Sequence, residues 1–435
     1  MNQTNPPLNM EEYFKPGYKS KQLLLVGSQT IDIWDNIVFE QMQEGFFLAG
    51  LNNTNIAVVR DIDPNYISYI HSLIPSGKII NLSGVTKRAF LSTTILHNPW
   101  ALHLIKQTID SNVRLLPFAF TKHEEALAKA LNINIYGSAK HNNRYGTKSG
   151  IRLLAKKAQI PTPTGYVCST MKQIKEAIKS LTSQFDYIVI KHDVSVNGYL
   201  SKKFQTIRIH NAEQLVVSVL NRPFREYKEK IIIEGWLENC ISVGTHIEIP
   251  PGANPFICAA WQQMIDADGV TYIGARPLSI SKNARNSLIR HLKRLAQTLA
   301  AQGATGSFGP DFLITSPAET LADPDSAILL ELNARTPFTA LPLEMLLAVR
   351  GKIGSGFCTT HIHLKKHALF SDIYSHLLAN RLLITAKNPR AEGVIPFHVG
   401  MLPWKSLYIA IAADSWKRTQ MILQKVKTIF EAKVT

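Results

Sequence analysis

Cysteine is scarce in this chain of 435 residues, which contains four, at positions 168, 240, 258 and 358. No two of them have the Cys-x-x-Cys spacing, so the sequence indicates neither a disulfide framework nor a cysteine-rich zinc site. Reduced thiols are typical of the cytosol, and we therefore expect a cytoplasmic protein.

Long apolar runs are also missing. No stretch approaches ~18 uninterrupted apolar residues, the length that crosses a bilayer, so we expect no membrane partner. The first 15 residues contain no basic segment followed by an apolar core, which argues against a secretory signal peptide. Apolar residues nevertheless make up 45% of the chain, which excludes wholesale disorder. At ~150 residues per domain, the length predicts about three domains or lobes.

Acidic residues are few relative to basic ones. The 48 Lys and Arg against 32 Asp and Glu give a net charge of +16, half of which lies in residues 351–435. Such an excess favours anionic partners such as nucleotides, nucleic acids or acidic lipids. The sequence has no evident reader helix and no interleaved basic and aromatic residues, so we do not expect a nucleic-acid partner.

Strand and helix patterns alternate in the first third of the chain. Helical spacing over 31–51 follows the first strand-like run, and a Thr121–Glu124 capping-box pattern starts a later helix. This alternation is typical of a parallel α/β domain, which we place at 21–138 behind a polar lead-in at 1–20. The four strand-like apolar runs lie at 22–26, 55–60, 78–82 and 114–120.

Strand patterns dominate the rest of the chain. An amphipathic helix within 144–165 ends before Ile160-Pro161, and a Lys/Arg-rich helix is predicted at 281–302. The tail from 357 mixes short strands with a final helix near 414–432. Further strands are predicted at 187–192, 230–239, within 246–277 around a DADG turn, at 306–315 and at 327–334.

The sharpest group of polar residues lies on two of these strands. Asp311 belongs to one strand, whereas Glu331 and Asn333 share one face of the next. If the strands pair, the three converge as oxygen ligands, the set that Mg²⁺ prefers. Arg335 follows on the same face and is suited to clamping a phosphoryl group. The alternative is a strand edge with ordinary polar residues, against which the apolar surroundings argue.

Two lysines form a second group. Lys148 opens a predicted helix after Gly146, where the helix dipole disfavours a cation, and Lys191 ends a strand. A phosphate bound at the helix N-terminus would compensate Lys148. The alternative is a pair of solvated lysines. The local sequence does not fit a P-loop, because Thr147 separates Gly146 from Lys148.

Two further patterns have an ordinary structural explanation. An apolar strand runs into Glu234, Trp236, Leu237 and Glu238, where backbone groups can hold an adenine and an acid can bind a ribose. By itself this is more typical of a strand end with a core tryptophan. A cysteine and three histidines, at 358, 361, 363 and 367, allow a metal site but are more typical of a half-exposed strand.

In chain order these motifs resemble those of the ATP-grasp ligases, and most closely the pheganomycin-type peptide ligases. The motifs are GTKSGIRLLAKKAQIPTPTG, YIVIKH, IIIEGWLEN, WQQMIDADGVTYIGARPL, GSFGPDFLIT, LLELNAR and GVIPFHVGML. The resemblance implies an α/β fold with α+β lobes. Its parts would be a pre-ATP-grasp domain at 21–138, an ATP-grasp domain at 139–350 with a small lobe at about 165–237, and a basic C-terminal segment at 351–435.

The resemblance also implies a role for each candidate residue. The cofactors would be ATP and Mg²⁺, with Mn²⁺ as an option. The metal ligands would be Asp311, Glu331 and Asn333, and the arginines facing phosphate or substrate would be Arg335 and Arg276. The ATP-binding residues would be Lys148, Lys191, Ser195, Gly198, Glu234, Trp236, Leu237 and Glu238.

The implied activity is ATP-dependent joining of a carboxylate to an amine, such as an amino acid or peptide, through an acylphosphate. The sequence departs from the relatives in three places, of which the second and third concern the substrate more than the nucleotide. The segment HDVSVNGYLSKKF has one glycine where a phosphate flap is expected, Ser307 stands where relatives often carry arginine, and TPFTALP lacks a Gly-Gly stretch. The sparse flap and the serine at position 307 favour the alternative, a nucleotide-binding regulator that has lost turnover. The oligomeric state is left open, with a homodimer as one option.

Overall fold

In the computed structural model, the described residues form three β-sheets. The predicted helix at 31–51 and the flap residues Ser195 and Gly198 lie outside the residues that it describes. The described residues are 23–26, 56–59, 62–74, 78–82, 84–85, 90–110, 112–117, 120–194, 200–209, 211–315, 326–353 and 356–431.

The first sheet has five parallel strands in the order β3-β2-β1-β4-β5. All four predicted apolar runs form strands, and Thr121 and Glu124 form the capping box that starts helix α4. The strands are β1 (Leu23–Val26), β2 (Ile56–Val59), β3 (Ile79–Asn81), β4 (Arg114–Pro117) and β5 (Asn134–Ile135). The helices are α1 (Pro64–Leu73), α2 (Leu91–Leu96), α3 (Pro99–Thr108) and α4 (Lys122–Leu131).

The second sheet has four antiparallel strands in the order β6-β9-β7-β8. Helices α7 and α8 pack against it and share its core. The strands are β6 (Gly165–Cys168), β7 (Tyr187–His192), β8 (Ser201–Gln205) and β9 (Ile231–Gly235). The helices of this region are α5 (Ala139–Tyr145), α6 (Lys148–Ala158), α7 (Met171–Thr182) and α8 (Ala212–Leu220), with a 3-10 turn at Thr206–Arg208.

The main sheet has eight antiparallel strands in the order β14-β13-β10-β11-β12-β15-β17-β16. Helices α6 and α9 cover one face of its first half. Its strands are β10 (Ile241–Ile249), β11 (Phe256–Ile265), β12 (Tyr272–Arg276), β13 (Gly306–Ile314), β14 (Ala327–Asn333), β15 (Gly356–His363), β16 (Gly393–Phe397) and β17 (Ser406–Ala413). The remaining helices are α9 (Lys282–Ala301), α10 (Ala340–Arg350), α11 (Phe370–Ala379), α12 (Trp416–Phe430) and a 3-10 helix at Val399–Trp404.

The C-terminal region is more extensive than the predicted short strands and final helix. Strand β15 pairs with β12, so residues beyond 350 continue the main sheet. Helix α11, which the sequence analysis did not predict, packs on the N-terminal region. No helix in the described ranges is long and apolar enough to span a membrane.

An aromatic cluster joins the N-terminal region to this C-terminal half. Phe370 of α11 lies 5.2 Å from Tyr66 and 5.8 Å from Tyr69 of α1, measured between ring centroids. The Tyr69 hydroxyl donates a hydrogen bond of 2.8 Å to the Ile384 carbonyl. Phe370 is 1% exposed, so its packing is part of the core that both regions share.

We expect the substitution Phe370→Ala to lower the free energy of unfolding by about 3–5 kcal/mol, because it leaves a cavity beside both tyrosines. Leu378→Ala is the matched control, since Leu378 lies on the same helix but is 46% exposed. Its effect should stay within ~0.5 kcal/mol. Thermal melting of both variants measures the difference, and equal melting temperatures would contradict the shared core.

Candidate functional site

A cavity of about 520 Å³ lies between the four-stranded sheet and strands β10–β14 of the main sheet. Residues 236–240, which join β9 to β10, line one side of it. The structure brings together ten predicted site residues in this lining. They are Lys148, Lys191, Glu234, Trp236, Leu237, Glu238, Asp311, Glu331, Asn333 and Arg335.

The acidic wall of the cavity follows from strand register. Asp311 of β13 stands directly opposite Glu331 of β14, and Asn333 follows on the same strand face. Asp311 accepts hydrogen bonds from the amides of Gln263 at 3.0 Å and Asn333 at 3.1 Å. Both of its carboxylate oxygens are therefore held in place.

The carboxylates of Asp311 and Glu331 repel each other across this wall. Burial, together with the neighbouring Glu331 carboxylate, raises the pKa of Asp311 well above its usual range. A divalent cation between the two carboxylates would remove this cost, and an oxygen-only set fits Mg²⁺. Asn333 directs its amide nitrogen to Asp311 and its oxygen to Arg335, at 2.9 Å.

Arg335 lies partly buried beside the acidic wall. It donates to the Asn333 side-chain oxygen and, at 3.3 Å, to the Thr336 carbonyl. Burial lowers the pKa of Arg335 to about 10, although Glu331 and Asp311 oppose that shift. The guanidinium therefore stays charged at neutral pH and can meet a phosphoryl oxygen.

Lys148 reaches the acidic wall from helix α6. Its ammonium lies 3.3 Å from Glu331. A carboxylate of the chain lies at this helix start, where Asp193 accepts from the Ser149 amide at 2.7 Å. Thr147 is the N-cap of the same turn, and its hydroxyl accepts from the Gly150 amide. Any phosphate would therefore meet the Lys148 side chain and not the amides of this helix.

A second buried ion-pair network lies on the opposite wall. Glu234 accepts hydrogen bonds from Lys191 and Arg152, each at 2.6 Å. Burial alone raises the pKa of Glu234, but Lys191 and Arg152 outweigh burial and lower it. Arg152 was not predicted, although it lies one helical turn after Lys148 and so on the same face.

Other lining residues were also missed by the sequence analysis. Lys203 of β8 lies over the rings of Tyr187, at 4.1 Å, and Trp236, at 4.5 Å, and 3.5 Å from Glu238. Gln263 of β11 holds Asp311. The signal for Gln263 was the two-residue alternation of Trp261, Gln263 and Ile265 along β11, all of which line the cavity.

Arg276 is the described candidate residue that does not line the cavity. It pairs with Gln262, whose side chain lies on the opposite face of β11 from Gln263. Its guanidinium lies 5.7 Å from the ring of Trp416, at the start of α12. The geometry therefore separates Arg276 from the other predicted residues.

Neither models of protein families nor curated proteins give a match to this chain. Solved structures resemble it over most of its length. Biotin carboxylase from Campylobacter jejuni is 10% identical with a TM-score of 0.59, covering 94% of this chain and 91% of that one. N5-carboxyaminoimidazole ribonucleotide synthetase from Thermus thermophilus is 12% identical with a TM-score of 0.55, covering 95% and 99%.

A third structure was solved with MgADP and bicarbonate. It is the biotin carboxylase domain of 2-oxoglutarate carboxylase from Hydrogenobacter thermophilus, 13% identical with a TM-score of 0.57, covering 94% of this chain and 90% of that one. The fold of the chain is therefore the ATP-grasp fold, an α/β architecture, as the motifs implied. At these identities the similarity concerns the fold, and the chemistry must be argued from the cavity.

We expect Glu234→Gln to destabilise the protein by about 3–5 kcal/mol, because Lys191 and Arg152 would lose their buried counter-charge. The folded pKa of Glu234 is below its usual value of 4.5, so its contribution is fully present above that pH and lost as pH falls through the folded pKa. The gap in melting temperature between wild type and variant should therefore be constant at neutral pH and shrink in acid.

Glu238→Gln is the matched control, since the Glu238 side chain is 48% exposed. Its melting temperature should follow that of wild type at every pH. A gap for Glu234→Gln that does not change in acid would contradict the assignment of the charge network.

Proposed function

We propose that this chain is an ATP-dependent ligase that joins a carboxylate to an amine through an acylphosphate. The observation that carries the proposal is the Asp311–Glu331 pair, set in register on the cavity wall beside Arg335. Two partly buried carboxylates, a partly buried arginine and two lysines around one cavity form a set suited to a metal-bound polyphosphate.

The side chains of the cavity supply charge and position. Phosphoryl transfer depends on placing the reactants and neutralising charge, so fixed cations are the main requirement. Lys148, Lys191 and Arg335 would stabilise charge that develops on the γ-phosphoryl oxygens. Asp311 and Glu331, with Asn333, would hold Mg²⁺, which supplies Lewis acidity when bound.

The nucleotide base would lie at the opposite end of the cavity. Trp236 and Leu237 at the end of β9 offer an apolar surface and backbone groups, and Glu238 at the rim offers a carboxylate for ribose hydroxyls. Lys203, held over the Trp236 ring, would also lie near the base.

The reaction balances without a nucleophilic side chain. A substrate carboxylate oxygen attacks the γ-phosphorus, and ADP leaves. An amine then attacks the acyl carbon, phosphate leaves, and the amine proton passes to solvent. The resemblance to pheganomycin-type ligases supports an amino acid or peptide as the amine.

A catalytically weakened regulator of the same fold is the second candidate. One observation favours it: cationic side chains of the cavity are already paired within the chain, Lys148 with Glu331 and Lys191 with Glu234. A ligand that binds to these lysines must first break their ion pairs, and this favours slow exchange of the ligand over rapid catalytic turnover.

Hydroxylamine trapping separates the two candidates. With ATP, Mg²⁺ and a panel of amino acids and short peptides, we expect hydroxylamine to convert an acylphosphate to a hydroxamate, with ADP released in equal amount. Glu331→Gln should abolish both products, since it removes one of the two wall carboxylates. ATP binding without ADP release for every carboxylate tried would support the regulator.

The lysines are tested by nucleotide affinity at fixed ionic strength. Removal of a charge-assisted contact costs about 1.5–3 kcal/mol, so Lys148→Ala should weaken ATP binding roughly ten- to a hundredfold. AMP, which lacks the outer phosphates, should be affected much less. Lys157→Ala is the matched control, because Lys157 lies on the same helix and is exposed. Equal losses for ATP and AMP would remove the phosphate role.

Lys191→Ala should weaken ATP binding more than AMP binding, by the same ratio as Lys148→Ala. It should also lower the melting temperature, because Glu234 keeps only Arg152 as a partner. A lower melting temperature with unchanged ATP affinity would mean that Lys191 is a structural cation only.

A further inference from the structure

A second polar cluster lies outside the cavity, where the main sheet meets the N-terminal region. His246 and Glu248 share one face of β10, and Cys258 comes from the neighbouring strand β11. Their exposed fractions are 2%, 4% and 1%. One ligand atom from each residue lies within 4.8 Å of the other two.

A β-bulge brings the cysteine into this cluster. His246 pairs with Ala259 and Ile247 pairs with Ile257, so the register skips Cys258. A bulge leaves its extra residue unpaired and re-aims its side chain. The sulfur thereby reaches the face that carries the imidazole and the carboxylate.

The His246 imidazole lies between two oxygen atoms of the cluster. The His246 Nε2 atom lies 2.9 Å from the nearer Glu248 oxygen and 2.8 Å from the Ser307 hydroxyl. An imidazole nitrogen and a carboxylate oxygen at 2.9 Å share a proton, and a metal ion can take the place of that proton once the two atoms separate by a few tenths of an ångström. A shared proton and a metal ion are thus the two candidates for the position between His246 and Glu248, and Cys258 distinguishes between them.

The sulfur of Cys258 favours the metal ion. A thiolate, an imidazole and a carboxylate form a ligand set typical of Zn²⁺, and sulfur is a poor ligand for Mg²⁺ or Ca²⁺. Ligand atoms bound tetrahedrally to one zinc ion lie about 3.3–3.7 Å apart, so the observed cluster needs only small side-chain shifts. Ser307 or a water molecule would complete four ligands.

A surrounding hydrogen bond supports the same assignment. The hydroxyl of Tyr136 donates to the Glu248 oxygen that faces away from His246. Metal-binding carboxylates are commonly oriented by such a second partner. Tyr136 directly follows β5 of the N-terminal sheet, so this contact links the cluster to that region.

We propose that His246, Glu248 and Cys258 bind a transition-metal ion, Zn²⁺ by preference. The ion fastens β10 to β11 and, through Tyr136, secures the N-terminal region to the main sheet. None of the three side chains lines the nucleotide cavity, so the role of the ion is structural. The proposal is independent of the ligase activity.

Metal analysis of the purified full chain tests the proposal. We expect roughly one zinc ion per chain after dialysis against a weak chelator, and loss of that zinc in Cys258→Ser and in His246→Asn. Cobalt substituted for zinc should give a thiolate-to-metal charge-transfer band, which a hydrogen-bonded cluster cannot produce. The same band should be absent in Cys258→Ser.

Two cysteine variants serve as controls. Cys240→Ser removes the thiol that lines the nucleotide cavity, and Cys168→Ser removes another buried thiol, 1% exposed. Both should keep the zinc and the band. Wild-type protein without bound zinc and without a cobalt band after reconstitution would overturn the proposal, as would a band lost in Cys240→Ser but kept in Cys258→Ser.

Discussion

The repulsion between two carboxylates on one cavity wall is the constraint to which the surrounding side chains respond. Register fixes Asp311 opposite Glu331, and burial strengthens their interaction. Gln263 and Asn333 donate to the first, and Lys148 approaches the second from helix α6. A hydrophobic pair at these positions would cost less, and this difference supports the proposed metal site.

Lysine and arginine side chains connect the two walls of the cavity. Lys148 belongs to a helix packed behind the main sheet, and its helix N-terminus is capped by Asp193, which follows β7 of the smaller sheet. Lys191 and Arg152 meet at Glu234. Helix α6 therefore contributes to both ion-pair networks, and its position fixes the distance between them.

The strands and the acidic wall were predictable because they depend on local patterns. Alternation along β14 put Glu331 and Asn333 on one face, and the apolar run of β7 ended at Lys191 as expected. Asp193 and Arg152 were missed because their partners lie 44 and 82 residues away in the chain. The cluster of His246, Glu248 and Cys258 was missed because it depends on a β-bulge that turns the Cys258 side chain. No residue pattern in the sequence predicts this bulge. The three histidines that the sequence analysis considered for a metal site do not belong to this cluster. One of them, His361, packs against Tyr408 on an exposed strand face.

The lysines of the cavity are paired with carboxylates of the chain, so a ligand that binds to them must replace those carboxylates. A phosphate that reaches Lys148 replaces Glu331, and one that reaches Lys191 competes with Glu234. Under the proposed function, a small monovalent anion would offer too little charge to compensate for both displacements. A polyphosphate bound together with a divalent cation would compensate for both, because the cation would pair with the released Glu331. The ion pairs of the cavity would therefore disfavour single anions and favour a metal–polyphosphate complex that binds as a unit.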